Sequence, residues 1–81
     1  MFLHIGRNMI IPLNDVIAIL DLGSGDQQET TKEYLKYASW YKEIVYVNKN
    51  KNKRSAVITD KKIFFTHISV YTLIKRSQSI Y

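Results

Sequence analysis

The stretch Val16–Leu22 constrains the fold of this chain more than any other part of the sequence. It reads VIAILDL and is almost continuously apolar, with β-branched side chains at Val16, Ile17 and Ile19. This pattern favours a β-strand that is buried on both faces. Because the chain has only 81 residues, one face of such a strand is expected to be covered by a second copy of the protein.

The sequence predicts further strands on both sides of this stretch. They are the segments Phe2–Ile5, Met9–Ile11, Glu43–Val47, Ser55–Thr59 and Lys62–Phe65. A turn is predicted at Gly6–Asn8, because Gly and Asn tolerate positive φ. We interpret Glu43–Val47 and Ser55–Thr59 as a β-hairpin with Asn48–Lys53 at its tip.

Two helices complete the predicted fold. The first covers Thr30–Trp40, with Thr30 or Thr31 as its N-cap. The second runs from Val70 to Ser79, with Ser69 as its N-cap. We therefore predict a single α+β domain over residues 1–81. It would have a small, mainly antiparallel sheet of about five to six strands, one central helix and one C-terminal helix.

Charge is distributed unevenly along the chain. Residues 1–30 contain one base (Arg7) and four acids, which gives −3, whereas residues 31–81 contain eleven bases and three acids, which gives +8. The second half is expected to meet an anionic partner, which could be nucleic acid, an anionic membrane surface or an acidic protein.

The chain contains no cysteine. This excludes disulfides and thiolate metal sites, and it is typical of a reducing compartment. The first residues do not resemble a targeting signal, and the longest apolar stretch is too short and too polar to span a bilayer. We expect a cytoplasmic protein without membrane association.

The sequence offers no constellation of residues for catalysis. His4 and His67 are far apart, and the motifs of metalloproteases, serine hydrolases and phosphate-binding loops do not occur. We interpret His67 as a packed or hydrogen-bonded structural residue. We therefore expect no enzymatic activity, no catalytic residues, no metal or cofactor and no small-molecule substrate.

The segment from Lys49 to Arg54, called here the basic segment, is the candidate binding site. Four of its six residues are basic and none is acidic. Phosphates attract such clusters, and asparagines donate hydrogen bonds to phosphate or to base edges. The predicted DNA-binding residues are Lys49, Lys51, Asn52, Lys53 and Arg54. The alternative is a solvated turn that binds nothing, since Lys and Asn are common in turns.

Other clusters could extend or compete with this site. Lys61–Lys62 and Lys75–Arg76 could lengthen a basic face. A group of aromatic residues comprises Tyr34, Tyr37, Trp40, Tyr41 and Tyr46. Its helical spacing favours packing in the core or between subunits, and a stacking platform for single-stranded nucleic acid is the alternative.

Several segments of the chain, in this order, resemble a known family. They are FLHIG at 2–6, DVIAILD at 15–21, KRSAVIT at 53–59, IFFT at 63–66 and ISVYTLIKR at 68–76. The chain is similar to the bacterial extracellular matrix regulators RemA and RemB, and most similar to the RemB type. The resemblance implies a DNA-binding transcriptional regulator of biofilm-matrix genes. In the RemA branch it also implies a ring-shaped homo-oligomer that presents basic loops around one rim.

The resemblance also suggests which residues contact duplex DNA. RemA-type proteins carry arginines just before the strand that is Ala56–Thr59 here, and these positions hold Asn52, Lys53 and Arg54. A further basic residue of the RemA branch corresponds to Asp15. The alternative function is an oligomeric protein-interaction module that binds an acidic protein and no nucleic acid. An RNA-binding function, based on the aromatic residues, is the third hypothesis.

Overall fold

Within the described residues, six strands and two helices follow one another in the predicted order, so the mixed α+β class is confirmed. The computed structural model describes residues 1–22, 29–48 and 52–78. The elements are β1 (Phe2–Gly6), β2 (Met9–Pro12), a 3-10 turn (Leu13–Asp15), β3 (Ala18–Asp21), α1 (Glu29–Ala38), β4 (Glu43–Tyr46), β5 (Ser55–Ile58), β6 (Lys62–Thr66) and α2 (Val70–Ser77).

The strands form two sheets instead of the single sheet predicted. β1 and β2 pair as an antiparallel hairpin, and the other four strands lie in the order β3-β5-β6-β4. All neighbours in the larger sheet are antiparallel except β4 and β6, which are parallel. The small hairpin covers one face of the larger sheet, so the fold is layered.

The predicted hairpin between Glu43–Val47 and Ser55–Thr59 is wrong. β6 lies between β4 and β5, and β5 forms its hairpin with β6 instead. The turn between them is tight, because the Thr59 backbone N–H and the Thr59 hydroxyl both donate to the Lys62 carbonyl, at 2.9 and 3.1 Å. The basic segment therefore connects two strands that are not neighbours.

Alternating residues of the larger sheet supply its two apolar faces, as the period of two in a strand requires. One face, which includes Val57 and Phe64, packs against Leu3 and Ile5 of β1 and Leu73 of α2. The opposite face carries a second cluster, in which Ala56, Ile58 and Ile63 meet Leu35 and Ala38 of α1. The sheet thus lies between β1, β2 and α2 on one side and α1 on the other.

The strand predicted at Val16–Leu22 is shorter and less buried than its sequence indicates. β3 spans Ala18–Asp21 and lies at the edge of the larger sheet, with β5 as its only strand neighbour within the described residues. Ala18, Ile19 and Leu20 are half-buried, and 64% of Ile17 is exposed. Burial on both faces is therefore wrong for the single chain.

Two predictions about α1 are also wrong. Thr30 and Thr31 lie inside the helix and not at its N-cap, since the helix begins at Glu29. The aromatic residues do not face the core of the chain, so their predicted packing in the core is wrong, whereas packing between subunits stays a prediction. Between 40% and 71% of each side chain in this group is exposed: Tyr34, Tyr37, Trp40, Tyr41 and Tyr46. Leu35 and Ala38 pack against the core from α1, because an apolar stripe needs only one face of a helix.

The predicted N-cap of α2 is confirmed. The Ser69 hydroxyl accepts a hydrogen bond from the Thr72 backbone N–H at 3.2 Å. The helix ends at Ser77, two residues before the predicted end. Near that end the Arg76 guanidinium donates to the His4 carbonyl of β1 at 3.0 Å. Neither helix in the described ranges is long and apolar enough to cross a membrane.

Thr66 links the two sheets, and replacing it with valine is expected to destabilise the fold. Its buried hydroxyl donates to the Ile5 carbonyl at 2.8 Å and accepts from the Ile68 N–H at 3.2 Å. Valine has a similar shape but no hydroxyl group. The Ile5 carbonyl and the Ile68 N–H then both lose their hydrogen bond to Thr66, which costs about 1–3 kcal/mol. Urea unfolding measures the difference. Thr30→Val, at an exposed position of α1, is the control and should change the free energy of unfolding by less than about 0.5 kcal/mol. Equal stability of Thr66→Val and wild type would contradict this role.

Candidate nucleic-acid interface

The end of the basic segment lies at one edge of the larger sheet, where three strands end and one begins. β3, β4 and β6 all finish here, and β5 starts here at Ser55, which pairs with Asp21 on one side and Thr66 on the other. This edge, with the described residues Asn52, Lys53 and Arg54, is called the basic edge. It brings together segments that are far apart in the sequence.

Arg54 is the most firmly held residue of the basic edge. Its backbone N–H donates to the Thr66 carbonyl at 2.9 Å, and its carbonyl accepts from the Leu22 N–H at 2.8 Å. The backbone is therefore bonded on both sides, although Arg54 precedes the first residue of β5. Its side chain is exposed. A guanidinium on such a fixed backbone can form bidentate contacts with phosphate.

Lys53 is positioned by two aromatic rings. Its Nζ lies 5.0 Å from the centre of the Phe65 ring and 5.5 Å from the centre of the Tyr46 ring. The two rings are stacked, with centroids 5.5 Å apart and an interplanar angle of 22°. Cation–π attraction at an exposed site contributes about 0.5–1 kcal/mol. The ammonium group is thus oriented while it remains accessible to a partner.

A side-chain hydrogen bond supports the start of the connection between β4 and β5. His67 Nδ1 lies 2.6 Å from Asn48 Oδ1, and because an amide oxygen only accepts, Nδ1 is the donor. His67 is therefore hydrogen-bonded, as predicted. Gly6, at the turn after β1, is also close to Asn48, because a Cβ atom placed on Gly6 would lie 3.3 Å from the same Asn48 oxygen.

The structure brings together only part of the predicted site. Asn52, Lys53 and Arg54 are all exposed at the basic edge. Lys49 and Lys51 lie outside the described residues. The Lys61–Lys62 pair does not extend the basic edge, because it follows Ile58 and precedes Ile63 at the opposite end of β5 and β6. Lys75–Arg76 lies on α2, where Arg76 is bonded to β1.

Asp15, which the resemblance aligned with a basic residue of the RemA branch, is also far from the basic edge. It ends the 3-10 turn before β3 and lines a cleft of about 520 Å³ together with Thr59, Asp60 and Lys61. This cleft lies at the end of the sheet opposite Arg54, because Ala18 pairs with Ile58 and Asp21 with Ser55. One chain therefore does not combine both positions in one contact surface.

The chemistry available at the basic edge is the binding of anions. Lys53 and Arg54 offer exposed cationic donors, and Asn52 adds an amide. The exposed acid Asp21 lies at the same edge, opposite Ser55. Across the ranges that the structure describes, His, Asp and Glu side chains form no group of three or more that could hold a metal ion.

Comparison with known proteins found a family whose model matches most of the chain. The model of the RemA-like family, described as extracellular matrix regulatory protein A-like, matches residues 2–76 of the chain. This match includes both sheets, both main helices up to Arg76 and the whole basic edge. No curated protein matches the chain significantly.

Proposed function

The chain belongs to the RemA-like family of extracellular matrix regulatory proteins, and from this membership we propose that it regulates matrix genes by binding duplex DNA. In this proposal it is a cytoplasmic transcriptional regulator of the RemB type. It acts as a homo-oligomer, and its basic edge contacts DNA phosphates. The family is one of extracellular matrix regulators and is not a known enzyme family.

The observation that carries the proposal is the fixed position of Arg54. A flexible basic turn loses conformational entropy when it binds, which weakens the contact. The backbone of Arg54 avoids most of its share of this cost, because it is already bonded to Leu22 and Thr66. Lys53 is restrained through its side chain instead, because its ammonium group lies close to the rings of Tyr46 and Phe65. Both residues therefore suit a phosphate contact better than a solvated turn does.

Assembly into an oligomer is the second part of the proposal. A few phosphate contacts from one chain give weak, salt-sensitive binding, and repetition around an oligomer raises the effective concentration. We propose that subunits meet along β3. The exposed Ile17 and the half-buried Ala18 and Leu20 line a largely apolar cleft of about 340 Å³ between β3 and α1. Exposed edge strands of this kind readily pair with another chain.

Salt dependence of duplex binding tests the proposed function. Affinity is expected to fall linearly with the logarithm of salt concentration, with a slope of about −0.9 for each phosphate neutralised. The basic segment of one chain has four basic residues, so it accounts for a slope no steeper than about −3.6. A steeper slope, together with an oligomeric mass in solution, is expected. If duplex DNA does not bind even at low salt, the proposed function is wrong.

A protein-interaction module that binds an acidic partner is the second candidate. This function is favoured by the exposed aromatic residues of α1 and of the turn after α1, since aromatic side chains are enriched in protein interfaces. Tyr37 and Trp40 form an edge-to-face pair with ring centres 4.9 Å apart. This function predicts an oligomer that does not bind duplex DNA at low salt but binds an acidic polypeptide. Competition between single-stranded RNA and duplex DNA separates the RNA-binding hypothesis from both.

A further inference from the structure

The β1–β2 turn presents a basic residue that the basic segment does not include. Gly6 pairs with Met9 across a two-residue loop formed by Arg7 and Asn8. The Thr66 hydroxyl donates to the Ile5 carbonyl. A Cβ atom placed on Gly6 would lie 3.3 Å from the Asn48 Oδ1 atom and 3.3 Å from a side-chain carbon of Val47. Since consecutive Cα atoms are 3.8 Å apart, the Cα of Arg7 lies within about 9 Å of the Asn48 side chain. The turn therefore reaches the basic edge.

The backbone of Arg7 is unusual for an arginine. Its φ is +44° and that of Asn8 is +62°. Turns with positive φ at both central residues favour Asn, Asp or Gly. An arginine at the first position adopts a left-handed conformation that L-residues with a long side chain rarely have. An outlier of this kind is a reason to look for a function that compensates for the strain.

The charge distribution indicates what that function is. Arg7 is the one Lys or Arg among residues 1–30, a region with a net charge of −3. The fold places Gly6, the residue before Arg7, close to Asn48, which follows β4 at the end of the sheet that carries Lys53 and Arg54. Arg7 itself is exposed. We infer that Arg7 contacts DNA phosphate together with Arg54, so that the β1–β2 turn is part of the DNA-binding surface. This inference rests on the proposed function.

The phosphate spacing of duplex DNA suits two separate contacts of this kind. A duplex carries one charge per about 1.7 Å of its axis, so several phosphates lie along a protein edge of this size. Arg54 extends from the larger sheet and Arg7 from the small hairpin, which are different layers of the fold. Two cations on separate rigid elements fix the orientation of a duplex better than two neighbours on one strand.

Arg7→Asn tests the inference, because stability and binding should change in opposite directions. Asparagine tolerates positive φ, so the variant should unfold at a temperature a few degrees higher than the wild type. Its affinity for duplex DNA should be at least roughly tenfold lower, and the salt slope should be less steep by about 1 for each subunit that contacts the duplex. Arg7→Lys keeps the charge and should recover most of the affinity. Fluorescence anisotropy and thermal unfolding measure the two effects.

Lys61→Asn is the matched control, because it removes the same charge from an exposed turn at the opposite end of the sheet. It should bind DNA with nearly the wild-type affinity. If Arg7→Asn binds like the wild type while Lys53→Ala with Arg54→Ala does not bind, the inference is wrong and the proposed function stands. If the wild type does not bind duplex DNA at low salt, both are wrong. If Arg7→Asn loses stability and affinity together, Arg7 has a structural role and the inference is wrong.

Discussion

Replacing Lys53 and Arg54 together with alanine is expected to abolish the binding of duplex DNA while the protein stays folded. Each substitution removes one exposed cation from the basic edge. In an oligomer the loss recurs in every subunit that contacts the duplex, so affinity should fall by about a hundredfold or more. An electrophoretic mobility shift at low salt, together with circular dichroism, measures binding and folding in the same preparations.

The fold should survive this double substitution for a structural reason. The bonds of Arg54 to Leu22 and Thr66 use backbone atoms, which alanine retains. Lys53 loses its contact with the rings of Tyr46 and Phe65, which is worth about 0.5–1 kcal/mol. Lys32→Ala with Lys36→Ala removes the same charge from exposed positions of α1 and should leave DNA binding unchanged. If the Lys53 and Arg54 variant binds DNA as tightly as the wild type, the site is wrong.

The local pattern of the sequence predicted the elements well, because each depends on nearby residues. Ser69 caps α2 through a hydrogen bond three residues along the chain, and apolar periodicity placed all six strands. Strand neighbours were harder to predict. The residues of Glu43–Tyr46 do not indicate that this strand pairs with β6 and not with β5. The pairing depends on the tight turn from Thr59 to Lys62, which places β6 beside β5.

The candidate site was predicted only in part, because some of its features depend on local sequence and others on contacts between distant segments. The basic composition of the segment identified Lys53 and Arg54, and the family resemblance supported their positions. The contribution of Tyr46 and Phe65 could not be predicted, because these rings meet only when β4 and β6 are paired. Arg7 was assigned to a turn correctly, yet its proximity to Asn48 depends on how the β1–β2 hairpin covers the sheet. A lone base in an acidic half of the chain was the only sequence signal for it.

Ile17→Lys is expected to separate the subunits and thereby to remove most of the affinity for DNA. Ile17 is 64% exposed in the single chain, so replacing it should change the stability of the isolated chain by less than about 0.5 kcal/mol. If β3 forms the subunit interface, the same substitution places an ammonium group in an apolar contact, which is strongly unfavourable. Light scattering should then show the 9.5 kDa monomer. DNA affinity should fall by about a hundredfold as avidity is lost.

Ile10→Lys is the matched control for this substitution, because Ile10 lies on β2 and is 56% exposed. The same change of side chain at Ile10 should leave the oligomeric mass and the DNA affinity unchanged from those of the wild type. An Ile17→Lys protein that remains oligomeric would show that the subunits meet elsewhere, with the exposed aromatic residues of α1 as the next surface to test. A monomeric variant with undiminished affinity would show instead that one basic edge suffices, since avidity would then contribute nothing to binding.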